Sequence, residues 1–263
     1  MITFQKYVKA ESLEEAYTLN QTNKNKIIAG MLWARLGTPS YNTVIDISGL
    51  GLDTIEEDED HFKIGAMVSL RALETNKELN VYTNNAIQDA LKDIVGTQFR
   101  NMATVGGSVW GRFGFSDVLT ILLALDSYVE LYKGGIVSLS DFSEMKYDND
   151  ILINVIIKKK PCKCVYSSVR TQRTDFPVLT CATSIIDGEY KISIGARPER
   201  AHLYTDEKNI LSNGILADTA SSFAKDLSKL VPTSSNNRGS AQYRSRLVAA
   251  LVERNLIRLG GLV

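Results

Sequence analysis

The stretch that most limits what this chain can become is Val95–Asp117, VGTQFRNMATVGGSVWGRFGFSD, with five glycines in 23 residues. Glycine costs more entropy to order than any other residue, so such a run belongs where the backbone must turn sharply or approach something closely. An apolar helical run, Asp117–Leu125, follows directly, with Ser116 or Asp117 as its N-cap. Earlier, the strand Lys26-Ile-Ile-Ala29 also runs straight into a glycine, Gly30. The chain thus offers two strand-to-glycine turns, Ile27–Gly30 and Ala103–Gly107. Converging backbone N–H groups in such turns suit a phosphate or pyrophosphate. Hydroxyls at Thr104 and Ser108 add donors, and Asp117 can accept from a ribose hydroxyl. The same residues equally suit plain tight turns.

Around these turns the first half alternates helix and strand. Ser12-Leu-Glu-Glu15 reads as a capping box opening a helix. Strands are expected at Thr43–Ile47, Phe62–Ala66, Tyr128–Leu131, Val137–Leu139 and Ile151–Lys159, with helices over Leu70–Leu79 and Asn85–Val95. The acidic run Glu56–Asp60 reads as a solvated hairpin tip. Lys158-Lys-Lys-Pro161 marks a domain boundary. Beyond it, strands Val165–Arg170, Val178–Ile186 and Lys191–Ala196, the last two joined by an Asp187-Gly188 turn, precede helices at Asn209–Leu211, Ala217–Leu230 and Ser240–Leu259. The final helix is expected to bury Leu247, Val248, Leu251, Val252 and Leu256 and to expose Arg244, Arg246, Arg254 and Arg258. The fold class is α+β, in two domains: 1–160 and 161–263.

Composition excludes more than it selects. Thirty Lys+Arg balance thirty Asp+Glu across 263 residues, giving no net-charge drive toward nucleic acid or an anionic membrane. The longest apolar stretch, Val118–Leu125, falls far short of the ~20 residues a bilayer span needs. With no signal-like N-terminus, a soluble cytoplasmic protein is expected. Cys162, Cys164 and Cys181, with only His61 and His202, can neither build a disulfide framework nor ligate an iron–sulfur cluster alone, and a zinc site is not expected.

Catalytic motifs nearly match and fail. Gly49-x-Gly51-x-x-Thr54 lacks the third glycine of a dinucleotide fingerprint. Gly106 and Gly111 are followed by Arg112-Phe113 where a P-loop needs Lys-Ser/Thr. Gly106-x-Ser108-x-Trp110 lacks the closing glycine of a nucleophile elbow. No catalytic residue and no metal ligand is assigned.

The order Thr104-Val-Gly-Gly-Ser-Val109, Ser116-Asp117 and Leu122-Leu-Ala-Leu-Asp126 resembles the second FAD motif of the flavoprotein subunits of molybdenum hydroxylases, the family of xanthine dehydrogenase and carbon monoxide dehydrogenase. Val44–Ile47, Ile64–Met67, Arg173-Thr-Asp-Phe-Pro-Val178, Arg238-Gly-Ser-Ala-Gln-Tyr-Arg244 and Leu251–Arg254 resemble further motifs of that family in the same order. The resemblance covers nearly the whole chain.

It implies an FAD-binding domain of two α+β subdomains, of the vanillyl-alcohol-oxidase-like type, and a C-terminal antiparallel sheet backed by helices. By residue match the first cofactor loop is Ile28, Ala29, Gly30, Met31, Leu32, Trp33 and Ala34. The second is Ala103, Thr104, Gly106, Gly107, Ser108 and Asp117. Ile94 matches a position packing on the flavin ring; Ile151 and Leu152 match a segment at its pyrimidine edge.

The implied role is an oxidoreductase subunit, passing electrons from a partner's iron–sulfur clusters through FAD to NAD or another acceptor, with molybdopterin in a further subunit. The first loop departs from the family pattern A-G-G-T/H-D/S-L. Met31 stands for the second glycine, where a positive φ is costly, and Leu32 and Trp33 stand for small polar donors. In the second motif Trp110 and Arg112 replace small residues: the one can stack on a ring and the other can pair with phosphate, or both simply fill space. The alternative is an assembly subunit of the same fold that has lost FAD. A stand-alone reductase of the cell-wall precursor type is disfavoured by the C-terminal motifs.

Overall fold

The computed structural model describes residues 2–262. Its chain begins β1 (Thr3–Lys9), α1 (Leu13–Asn20), β2 (Asn25–Ile28), β3 (Ser40–Asp46), β4 (Ile55–Glu57) and β5 (His61–Gly65). Six short helices follow: α2 (Leu70–Thr75), α3 (Lys77–Tyr82), α4 (Ala86–Leu91), α5 (Thr97–Met102), α6 (Val105–Gly111) and α7 (Asp117–Leu123). Next come β6 (Ser127–Leu131), β7 (Gly135–Ser138), α8 (Leu139–Glu144) and β8 (Leu152–Lys158). The chain closes with β9 (Cys162–Arg170), β10 (Pro177–Ile186), β11 (Glu189–Gly195), β12 (His202–Thr205), α9 (Ala217–Leu230) and α10 (Ala241–Leu259).

Packing gathers these into two units, each built from three chain segments. The first takes the chain up to Leu73, Thr97–Gly111 and Ser127–Ile157; the second takes Glu74–Gly96, Arg112–Asp126 and everything from Lys158.

The first unit holds a parallel sheet in the order β1-β3-β2 and a five-stranded sheet in the order β4-β5-β8-β6-β7. Ser12 caps α1 by accepting from the Glu15 N–H at 3.1 Å, while the Glu15 carboxylate reaches back to the Glu11 N–H at 2.8 Å. The expected box therefore closes one residue early. Ala16 on α1 packs with Ala10, Ile45, Ile47, Leu52 and Ile151. The acidic run is a hairpin tip: β4 pairs antiparallel with β5, and Asp58 accepts the N–H groups of Asp60 and His61.

The second unit holds an antiparallel sheet in the order β12-β11-β10-β9. Asp187 (φ 52°) and Gly188 (φ 85°) make the β10–β11 turn, the left-handed pair a two-residue hairpin requires. Leu179, Cys181, Ile192 and Ile194 form one core with Phe223, Ala224, Val248, Val252 and Leu256 of α9 and α10.

Several expectations need correction. Arg244 is buried (1% exposed), not solvated. Its guanidinium donates to the carbonyls of Val178, Ser234 and Gly239 and to Asn236 Oδ1, so charge-assisted hydrogen bonds replace hydration. Arg246, Arg254 and Arg258 are exposed as expected, and Leu247 is half-buried. The Leu70–Leu79 helix breaks at Asn76, whose side chain caps α3 through the Leu79 N–H. The helix expected to reach Val95 ends at Leu91, and Val95 itself takes φ 50°. Asn209–Leu211 is a turn, in which the Asp206 carboxylate accepts from Ile210 and Leu211. Strands β1 and β12 had no sequence signal: β1 is exposed on both faces and so shows no alternation.

Candidate functional site

Both glycine turns lie in the first unit and touch. A Cβ built on Gly30 would sit 1.9 Å from the Met102 carbonyl oxygen and 3.3 Å from Ala103 Cα. Only glycine lets the end of β2 pass that close to the chain leading into Thr104.

Met31 adopts φ 61°, the left-handed conformation that sequence reasoning judged costly there. A left-handed residue in such a loop can help turn neighbouring N–H groups toward one side. Among the described residues, the N–H groups of Gly30, Met31 and Leu32 meet no acceptor. The loop then closes into a single 3-10 turn, Ala34–Leu36, with the Arg35 N–H donating to the Met31 carbonyl at 3.0 Å. Leu32 is buried, whereas Trp33 and Ala34 are exposed.

The second turn is not strand-to-glycine. It joins α5 to α6, with an isolated bridge pairing Ser69 with Thr104. Gly106 is buried, and a Cβ there would lie 2.6 Å from Ala66 Cβ and 2.7 Å from the Ala66 oxygen. The Val105 N–H donates to the Val68 carbonyl, the Gly106 N–H to the Ala66 carbonyl and the Gly107 N–H to Thr104 Oγ1 at 3.1 Å. Ser108 turns its hydroxyl back onto the Thr104 carbonyl at 2.9 Å. Trp110 packs on Phe142, with ring centroids 5.8 Å apart. Sequence reasoning missed Ala66 and Met102. The Ile64-Gly-Ala-Met67 run held the clue to Ala66, since a small residue there leaves room for a facing helix.

Ile151 and Leu152 are also in the first unit and buried. Ile151 belongs to the core around Ala16; its carbonyl accepts from Tyr132 N–H and its N–H donates to Asp150. Ile94 and Asp117 belong to the second unit. Ile94 is half-buried in the loop after α4. Ser116, rather than Asp117, caps α7 through the Leu119 N–H at 3.0 Å. Asp117 Oδ1 accepts from the Tyr166 hydroxyl and the Arg170 guanidinium, partners that sequence reasoning did not find. Burial and the Asp117 charge push the Tyr166 hydroxyl well above the usual tyrosine range. Arg112 is likewise in the second unit and buried, with φ 42°.

With this geometry in place, residues 2–159 match the family model for the FAD binding domain in molybdopterin dehydrogenase. The chain belongs to that family. The glyceraldehyde dehydrogenase medium chain of Sulfolobus acidocaldarius is 26% identical, over 93% of this chain and 94% of the relative. Uncharacterized protein YgfM of Escherichia coli (strain K12) is 23% identical, over 94% and 93% of the two chains. The fold matches a chain of carbon monoxide dehydrogenase from Hydrogenophaga pseudoflava with a TM-score of 0.85, at 19% identity, over 98% of this chain and 97% of that one.

FAD is the cofactor of this family's domain, and the residues fit its diphosphate. Three N–H groups without acceptors among the described residues, around the left-handed Met31, leave donors that phosphate oxygens can take. Thr104 Oγ1 accepts from Gly107 and retains its own proton to donate. Among the described residues no group of His, Cys, Asp and Glu is arranged to hold a metal, and no helix is long and apolar enough to cross a membrane.

Proposed function

We propose that this chain is the FAD-carrying electron-transfer subunit of a multi-subunit molybdenum hydroxylase or dehydrogenase. Electrons would arrive from the iron–sulfur clusters of one partner subunit, supplied by a molybdopterin-containing partner, and leave to NAD or another acceptor in the cytoplasm. Bound FAD supplies the exchange between one-electron donors and a two-electron acceptor. The chain's own residues bind and orient: Gly30, Met31 and Leu32 offer N–H donors, and Thr104 offers a hydroxyl. Residues 1–160 would form the cofactor domain and 161–263 its smaller companion. The observation that carries the reading is the unsatisfied Gly30–Leu32 turn, in a chain whose residues 2–159 match the FAD-binding family.

The test is the visible spectrum of the purified protein, with and without added FAD. Flavin bands that survive gel filtration support the reading, and a colourless protein that retains no added FAD sinks it. A second reading, an assembly subunit without flavin, draws on Leu32 and Trp33, which put apolar bulk where the family pattern has small polar side chains.

A further inference from the structure

We infer that the outward face of α10 is a docking surface for a partner subunit with an acidic face, held by Arg246, Arg254 and Arg258. This rests on the multi-subunit reading and gives it a place of assembly. Helix α10 carries Arg244, Arg246, Arg254 and Arg258, no lysine and a single acid, Glu253. Arg244 turns inward and is spent on carbonyls of its own unit. The other three are exposed, and among the described residues their guanidinium groups have no ion pair and no hydrogen bond.

On a helix the natural partners lie three and four residues away. Around Arg246 these are Gln242, Tyr243, Ala249 and Ala250; around Arg254 they are Ala250, Leu251, Ile257 and Arg258. No acid is among them, and Arg254 meets Arg258 as a like charge. The helix dipole favours Arg258 in the last turn but gives no support to Arg246, in the N-terminal half. Between the arginines lie Tyr243, 45% exposed, and the half-buried Leu247, Ala250 and Ile257. Arginine and tyrosine around apolar side chains is the composition of a protein interface. Binding along a nucleic-acid backbone is disfavoured, since thirty basic and thirty acidic residues leave the chain no positive surplus. Guanidinium groups pair bidentately with carboxylates, so the complementary surface is a row of Asp or Glu about 18 Å long, the rise from Arg246 to Arg258.

The full-length chain, tagged and purified from its native cells with the subunits it holds, gives the test. Flavin, iron and molybdenum are measured per chain. Changing Arg246→Glu, Arg254→Glu and Arg258→Glu together should lower co-purified iron and molybdenum about tenfold or more. Flavin content and melting temperature should stay at wild-type values. Glutamine at the same three positions, which removes charge without repulsion, should give a smaller loss in the same direction. Unchanged metal content in both variants overturns the inference. So does a loss confined to the Glu variant and matched by a lowered melting temperature, or an arginine-dependent companion whose ultraviolet spectrum is that of nucleic acid. A wild-type chain that carries flavin but neither metal refutes the multi-subunit reading, and this inference falls with it.

Discussion

Asp117 and Arg170 form an ion pair inside the second unit, with side chains 5% and 7% exposed. The hydroxyl of Tyr166 completes the pair on the same carboxylate oxygen. Such a pair matters less for its net attraction than for what remains when half of it is removed. Asp117→Asn should leave the Arg170 charge buried without its counter-charge and cost about 3–5 kcal/mol in urea unfolding. Tyr166→Phe removes one neutral donor and should cost about 1 kcal/mol. Equal losses for the two variants would mean that the pair is not ionised.

Gly30→Ala puts a methyl 1.9 Å from a backbone oxygen, which no side-chain rotation can relieve. Overpacking of this kind costs about 1–3 kcal/mol, so its melting temperature should fall by several degrees. An unchanged melting temperature would show that the two turns do not touch.

Met31→Gly should act in the opposite direction. The left-handed backbone at Met31 carries a penalty of about 1–2 kcal/mol that glycine does not. Glycine's larger unfolded-state entropy returns part of the gain, so a net stabilisation of about 0.5–1 kcal/mol is expected. A destabilised variant would mean that the Met31 side chain contributes more packing than its backbone costs.

Alkaline pH should weaken the fold through groups buried in their neutral forms. Burial pushes the Cys181 thiol up to about 12 from 9.0, and the Tyr82 hydroxyl up to about 12 from 10.0. Each therefore binds its proton more tightly folded than unfolded. Their stabilisation is whole below about pH 9 and is lost as pH rises toward 12. Urea midpoints measured from pH 8 to pH 11 should fall, and less steeply in Cys181→Ala. An identical slope in that variant would refute the assignment.

What the sequence made legible follows from which forces act locally. The hairpin at Asp187-Gly188 and helix α9 were readable because turn chemistry and apolar spacing are written in consecutive residues. Most of α10 was readable for the same reason, but Arg244 was not. Its burial depends on carbonyls of Val178, Ser234 and Gly239, which the fold supplies from elsewhere. The glycine turns were found, yet their difference was not. Whether an N–H is spent or open depends on Ala66 and Val68, some 40 residues before the second turn and so beyond any local pattern. The left-handed Met31 was legible only as a cost, because propensity disfavours the conformation it adopts, and the close approach of Gly30 to Met102 lies outside any local rule.

The chain passes between its two packing units five times, at 73/74, 96/97, 111/112, 126/127 and 157/158. Helices α4 and α7 precede residue 160 but pack on strands that follow it, α4 on β9 and α7 on β10 and β11. A ribosome therefore releases those helices well before their sheet exists. A fragment ending near residue 160 would expose Ile87, Leu91, Leu119 and Ile121, all fully buried in the intact protein. The first unit has all its segments once Ile157 is made, whereas the second, begun at Glu74, must wait for the C-terminal residues before it is complete.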